Sequence, residues 1–175
     1  VLGINLAAAV ENDVVYGEDD RLDLYQVTNP YWLDRADSTV GLMKSNRITF
    51  DENGVDAHIK TLPYGSTYSL CSEEPFFEQE LAAFCSGSLV GKDLIMTAGH
   101  CISSNDCGST SFVFGFGMKT EGVMPTTVPA SDVYKCSKIV GREMSYSSGS
   151  DWALVQLDRP VEGHEPLAIN RAGVS

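Results

Sequence analysis

Two side chains in this 175-residue sequence are suited to proton transfer, the imidazole of His100 and the carboxylate of Asp151. An imidazole can accept and return a proton near neutral pH, and a carboxylate hydrogen-bonded to it can fix its orientation. Three small residues precede His100, and Gly99 in particular lets another backbone or a substrate approach closely. Each residue could also be structural, because His100 could simply lie at a corner of the chain and Asp151 could cap the start of a strand. The residue types alone therefore do not decide between a catalytic and a structural role.

The segments around His100 predict a β-hairpin that ends in a tight corner. Residues 86–90 and 94–98 are apolar runs joined by a Gly-Lys-Asp turn, as in short hairpin connections. Cys85 and Cys101 bracket the hairpin, and a disulfide between them would contribute roughly 3 kcal/mol in the chain-entropy model. The expected result is a histidine held on a cross-linked corner.

The other cysteines extend this disulfide framework. No Cys-x-x-Cys pair is present, which argues against zinc and for an oxidising compartment. Cys107 precedes a predicted strand over residues 112–117, and Cys136 lies in the next one, over 133–140. Antiparallel neighbours would bring these two cysteines together. The fifth cysteine, Cys71, is then free or pairs outside this chain.

The hairpin and its corner resemble the histidine motif of chymotrypsin-fold serine proteases. The resemblance combines the pentad Thr-Ala-Gly-His-Cys over residues 97–101, the preceding Cys-Ser-Gly-x-Leu-Val strand and the cysteine pair. Residues 151–161 resemble the aspartate motif, with an Asp before an Ala-Leu strand and a closing Leu-x-x-Pro-Val. The resemblance implies an all-β, antiparallel chymotrypsin-like barrel. It also implies peptide-bond hydrolysis through an acyl-enzyme, with His100 as general base and Asp151 as the residue that orients it.

The nucleophile of that family is expected elsewhere. Its serine follows the aspartate in a Gly-x-Ser-Gly context, whereas the similar string Ser147-Ser148-Gly149 precedes Asp151 and lacks the leading glycine. We expect residues 14–161 to form the first of two barrels and residues 162–175 an interdomain linker. The expected partners are peptide substrates and the C-terminal barrel that is absent from this sequence, in the same polypeptide or a second chain. This chain alone is expected to be inactive.

The amino-terminal residues suggest a processed secretory protein. Residues 1–13 open with an apolar run over residues 1–9 and fit the end of a signal peptide, a propeptide or a short helix. Residues 14–21 resemble the mature amino terminus of the bacterial glutamyl-endopeptidase-like branch, starting at Val14 or Val15, and a surface turn is the alternative. This resemblance implies a zymogen. The pocket that sets cleavage preference would lie on the second barrel.

Composition narrows the remaining functions. The net charge of −12 argues against a nucleic-acid partner, and we interpret this charge as one that keeps the protein in solution. The sequence contains no apolar run near 18 residues that would span a membrane. We expect a secreted or periplasmic protein. The acidic turn over residues 51–56 resembles half a calcium loop but lacks its distal glutamate, so no metal or cofactor is expected. His58 and His164 are expected to face solvent. The alternative function is an inactive protease-like binding module, which would have no need for both His100 and Asp151.

Overall fold

The computed structural model describes residues 19–172, so the predicted signal remnant and the mature terminus at Val14 or Val15 lie outside the described residues. Its two α-helices over this range are α1 (Pro30–Asp37) and α2 (Tyr64–Thr67). The strands are β1 (Thr39–Lys44), β2 (Ile48–Phe50), β3 (Asp56–Ile59), β4 (Leu62–Pro63), β5 (Glu80–Leu81), β6 (Cys85–Gly91), β7 (Leu94–Thr97), β8 (Thr110–Phe114), β9 (Thr127–Pro129), β10 (Val133–Ser145) and β11 (Ser150–Leu157).

Six of these strands close into an antiparallel barrel in the order β1-β6-β7-β11-β10-β8. Alternate side chains of each strand point inward, as the period of two in a β-strand requires. The barrel core includes the fully buried side chains of Leu42, Leu89, Ile95, Phe112 and Val155. The prediction of an all-β protein with a closed antiparallel barrel is confirmed.

Smaller elements cover the outside of the barrel. Strands β2, β3 and β9 form a three-stranded sheet over a second apolar cluster that includes Met43 and Val113, and β4 pairs with β5. Helix α1 begins at Pro30, and the Asn29 side chain caps its first turn by accepting the Tyr31 N–H at 3.0 Å. Within residues 19–172 no helix is both long enough and apolar enough to cross a membrane.

Residues 22–27 have a strand-like alternation of side chains but do not form a strand. Leu24–Gln26 is a 3-10 turn, and the Gln26 side chain accepts the backbone N–H of Asp23 at 2.9 Å. The Asp23 carboxylate in turn accepts the side-chain amide of Gln79 at 2.9 Å, which ties this segment to the residue before β5. Polar side chains therefore satisfy backbone groups that a strand would have paired with a neighbour.

Candidate active site

His100 lies on a 3-10 turn, Gly99–Cys101, that directly follows β7. The Cys85–Cys101 disulfide joins this turn to the start of β6, with the two Cα atoms 6.0 Å apart. The hairpin of β6 and β7 and its cross-link are those expected from the sequence. Because both ends of the hairpin are fixed, the His100 corner is held without any contribution of the imidazole to the core.

Asp151 reaches His100 through the pairing of β11 with β7. Ala153 lies opposite Thr97 in this antiparallel pair, so the chain leaves β7 toward His100 at the edge where β11 begins. The Cys107–Cys136 disulfide, with its Cα atoms 5.1 Å apart, links the segment before β8 to β10, where Cys136 lies opposite Leu157. Cys71 is exposed and belongs to neither disulfide. Strand register therefore brings together two residues that are 51 positions apart.

The two side chains form a short, double contact. The Nδ1 atom of His100 lies 2.6 Å from Asp151 Oδ2, and the His100 backbone N–H donates to Oδ1 at 2.8 Å. The donation from the His100 ring, followed by the donation from its backbone N–H, lowers the pKa of Asp151 below its ordinary value, and the Gly99 backbone N–H adds a smaller effect. Asp151 is therefore ionised at neutral pH and holds the proton of His100 on Nδ1.

Gly99 is where the backbone packs most closely around this pair. A Cβ atom added there would lie 2.4 Å from the carbonyl oxygen of Glu143 and 3.1 Å from Asp151 Oδ1. The Arg142 side chain donates from Nε to the Gly99 carbonyl oxygen at 2.7 Å. Strand β10 thus presses against the turn from one side and holds its carbonyl, so both contacts position His100. No motif in the sequence pointed to Arg142, which lies in a part of β10 whose side chains are mostly exposed.

The pair borders an open cleft of about 340 Å³. The side chains of His100 and Asp151 are 56% and 40% exposed there. The β10–β11 hairpin forms the rest of the wall, including Met144, Ser145 and Tyr146. Among the described residues, the Nε2 atom of His100 makes no hydrogen bond, and the hydroxyl of Ser147 is hydrogen-bonded to Ser145 instead. The arrangement can relay a proton between Nε2 and a group that enters the cleft.

The two other histidines differ from each other. His58 on β3 is exposed, as expected. The expectation for His164 is wrong, because its side chain is only 9% exposed and stacks on Phe114 with the ring centroids 4.2 Å apart. In the acidic turn over residues 51–56, Asp51 Oδ1 accepts the backbone N–H of Val55 at 2.7 Å, so this carboxylate serves the turn itself.

Comparisons with known proteins found a matching family model and several similar proteins. The family model for trypsin matches residues 57–171. A trypsin from Sarcophaga bullata is 33% identical over 112 residues, which cover 62% of this chain and 37% of the Sarcophaga protein. Among solved structures, the VesB protease of Vibrio cholerae is 17% identical with a TM-score of 0.42, and the alignment covers 77% of this chain and 30% of VesB. Human heparin binding protein is 15% identical with a TM-score of 0.43, with 81% and 48% covered.

Proposed function

Because this chain belongs to the trypsin family, we propose that it supplies the general base and the orienting carboxylate of a secreted serine endopeptidase. The observation that carries the proposal is the 2.6 Å contact between His100 Nδ1 and Asp151 Oδ2 beside an open cleft. If His100 had only a structural role, an exposed carboxylate that accepts hydrogen bonds from both its ring and its backbone N–H would not be expected beside it.

In the proposed reaction, a serine hydroxyl attacks the carbonyl carbon of a peptide bond while Nε2 of His100 takes the hydroxyl proton. Asp151 remains ionised, since its hydrogen bonds hold its pKa below the ordinary value, and it stabilises the imidazolium that forms. His100 then gives the proton to the leaving amine, and an acyl-enzyme remains. Water hydrolyses this ester with His100 again as the base, which returns the serine and releases the acid product.

We place the nucleophilic serine, the oxyanion hole and the specificity pocket in a second barrel that these 175 residues do not contain. The chain spans 37% of the length of the Sarcophaga trypsin, which leaves room for such a barrel in a longer relative. Apolar side chains near the cleft support a covering partner. Met144 and Tyr146 of the cleft wall are 40% and 94% exposed. A second barrel, from the same polypeptide or another chain, would remove this surface from water.

Secretion is part of the same proposal. Disulfides form and persist in oxidising compartments, and they stabilise small extracellular domains. The two disulfides of this barrel therefore support secretion. The glutamyl-endopeptidase-like branch remains a prediction from residues 14–21. It would be tested by comparing cleavage after glutamate and after basic residues with a product that carries the second barrel.

The test is labelling by a fluorophosphonate probe, which reacts with an activated serine. We expect no labelling of the 175-residue chain and strong labelling of a longer product that includes the second barrel. In the longer product, His100→Ala should abolish labelling and Asp151→Asn should lower kcat by about 10⁴-fold. The matched control His58→Ala removes an exposed histidine and should label normally.

Two results would count against the proposal. Labelling of the 175-residue chain itself would place the nucleophile within it, and Ser147→Ala and Ser148→Ala would then locate the serine. A longer, processed product that neither labels nor cleaves casein would favour the alternative, an inactive protease-like binding module. The same two proteins, the 175-residue chain and the longer product, thus decide between the protease and the binding module.

A further inference from the structure

A second cavity lies at the other end of β10 from His100. Asp132 directly precedes the first residue of β10, whereas Ser145 at the far end of the strand lines the His100 cleft. The cavity encloses about 320 Å³ between α1 and the barrel. Its wall combines three apolar side chains with two carboxylates and one imidazole, those of Leu24, Leu33, Ala36, Asp37, Asp132 and His164.

His164 is the unusual member of this wall. Its side chain is 9% exposed, and Nδ1 is buried without a hydrogen-bond partner among the described residues. The Oδ1 atom of Asp37 lies 3.0 Å from Nδ1, but the two atoms do not form a hydrogen bond. Asp132 Oδ1 lies 3.7 Å from Nε2 on the other side of the ring. Stacking on Phe114, with an angle of 11° between the planes, fixes this orientation.

A buried polar atom without a partner costs free energy, and here the surroundings define what partner would satisfy it. With the ring proton on Nε2, toward Asp132, the lone pair of Nδ1 lies next to the lone pairs of Asp37. Two acceptors then lie side by side, which is unfavourable until a donor group bonds to both of them from the cavity. A group with several N–H bonds and a positive charge satisfies both acceptors at once.

The few ligand atoms, the volume and the apolar wall of the cavity favour an organic cation over a metal ion. Only two ligand atoms, His164 Nδ1 and Asp37 Oδ1, converge in one place, and within residues 19–172 no third histidine, cysteine or carboxylate joins them there. A volume of about 320 Å³ with apolar walls is that of a small-molecule pocket. We propose that this cavity binds an alkylammonium group, whose N–H bonds go to His164 and Asp37 and whose alkyl chain lies against Leu33 and Ala36.

Lys119 makes the proposal sharper, because it lies at the same wall and carries the same charge as the ligand. Its side chain forms no ion pair with another described residue, and its Nζ atom is 3.1 Å from the position of a Cβ on Gly115. The positive charge of Lys119 therefore opposes a second ammonium in the cavity. Removing its charge should strengthen binding, an effect that damage to the fold would not produce.

The experiment is an NMR titration of the 175-residue chain with ¹⁵N-labelled histidine, whose three histidines give few signals. n-Butylammonium should shift the His164 ring signals in a saturable way, and n-butanol, of the same shape without charge, should not. We expect Asp37→Asn to weaken binding at least about tenfold, as one charge-assisted hydrogen bond is lost. Lys119→Met should tighten binding severalfold, and Glu52→Gln, an exposed acidic control, should leave it unchanged.

Two further arms identify the source of the ammonium and the competing ligand. N-acetyl-lysine N-methylamide carries the same group on a peptide-like body, so its binding would extend the proposal to lysine side chains, and its exclusion would restrict it to free amines. The proposal is overturned if butanol binds as well as butylammonium, if Lys119→Met fails to tighten binding, or if Zn²⁺ shifts the His164 signals where butylammonium does not. It is independent of the protease function, since none of these readouts uses catalysis.

Discussion

Replacing Gly99 by alanine tests how closely the His100 corner is packed. The added Cβ would lie 2.4 Å from the carbonyl oxygen of Glu143 and 3.0 Å from that of Trp152. Both oxygens are backbone atoms of the paired strands β10 and β11, so no side-chain rotation can relieve the contact. Its third neighbour is Asp151 Oδ1, at 3.1 Å. The substitution therefore pushes against the same backbone that positions the His100–Asp151 pair.

The expected cost follows from these distances. The Glu143 carbonyl would have to retreat by about 1 Å to reach ordinary contact, and overpacking of this kind costs about 1–3 kcal/mol. Alanine also restricts the unfolded chain, which returns about 0.4–1 kcal/mol wherever glycine is not conformationally required. We expect a net loss of about 1–2 kcal/mol in the free energy of unfolding. For a chain of this size that lowers Tm by about 2–8 °C.

The assay is urea unfolding of the oxidised protein, with Gly108→Ala as the matched control. A Cβ at Gly108 meets no atom within 4 Å, so the same chemical change there adds no contact. The reasoning is refuted if the two variants unfold at the same free energy to within about 0.5 kcal/mol. Equal m-values are required for the comparison, because a change in m would mean that the denatured state had changed instead.

Three other substitutions address the same region. Replacing Cys85 and Cys101 together by alanine should cost about 3 kcal/mol, read from the urea midpoint, and an unchanged midpoint would contradict the role of the cross-link. Arg142→Met should cost about 1 kcal/mol through the lost bond to the Gly99 carbonyl, whereas stability equal to the parent would show that this bond contributes nothing. Asp151→Asn tests the pH dependence. Since the folded pKa of Asp151 is lowered, its stabilisation is present above its unfolded pKa and is lost as the pH falls through the folded pKa. The stability difference between parent and variant should shrink as the pH falls below the ordinary pKa of an aspartate, about 3.9, and a constant difference would contradict the assignment.

Local patterns were enough to predict the elements around the candidate site. Strands β6 and β7 match the predicted hairpin closely, because apolar alternation and turn residues act over a few positions. Strand β10 runs on to Ser145, beyond the predicted end at residue 140. Its last residues are mostly exposed on both faces and pair only with β11, so no alternation marks them. A strand that is held by its partner alone leaves no periodic signal.

The chemistry of the site was predictable only where a motif carried it. His100 and Asp151 were found through resemblance, since neither residue type nor spacing distinguishes a catalytic pair from a corner histidine and a cap. The burial of His164 was not predictable, because it lies in a polar stretch and is covered by α1 and Phe114 from distant parts of the chain. The bond from Arg142 to the turn likewise depends on how two strands cross, which no short segment encodes.

The Cys107–Cys136 cross-link has a consequence for how His100 and Asp151 find each other. Along the main chain they are 51 positions apart. Cys107 comes seven residues after His100 and Cys136 comes 15 residues before Asp151, so the disulfide offers a covalent path of less than half that length. A shorter tether lowers the entropic cost of bringing the two groups together, here by about 0.7 kcal/mol. An oxidised chain that has been unfolded should therefore rebuild the His100–Asp151 contact more readily than a reduced one.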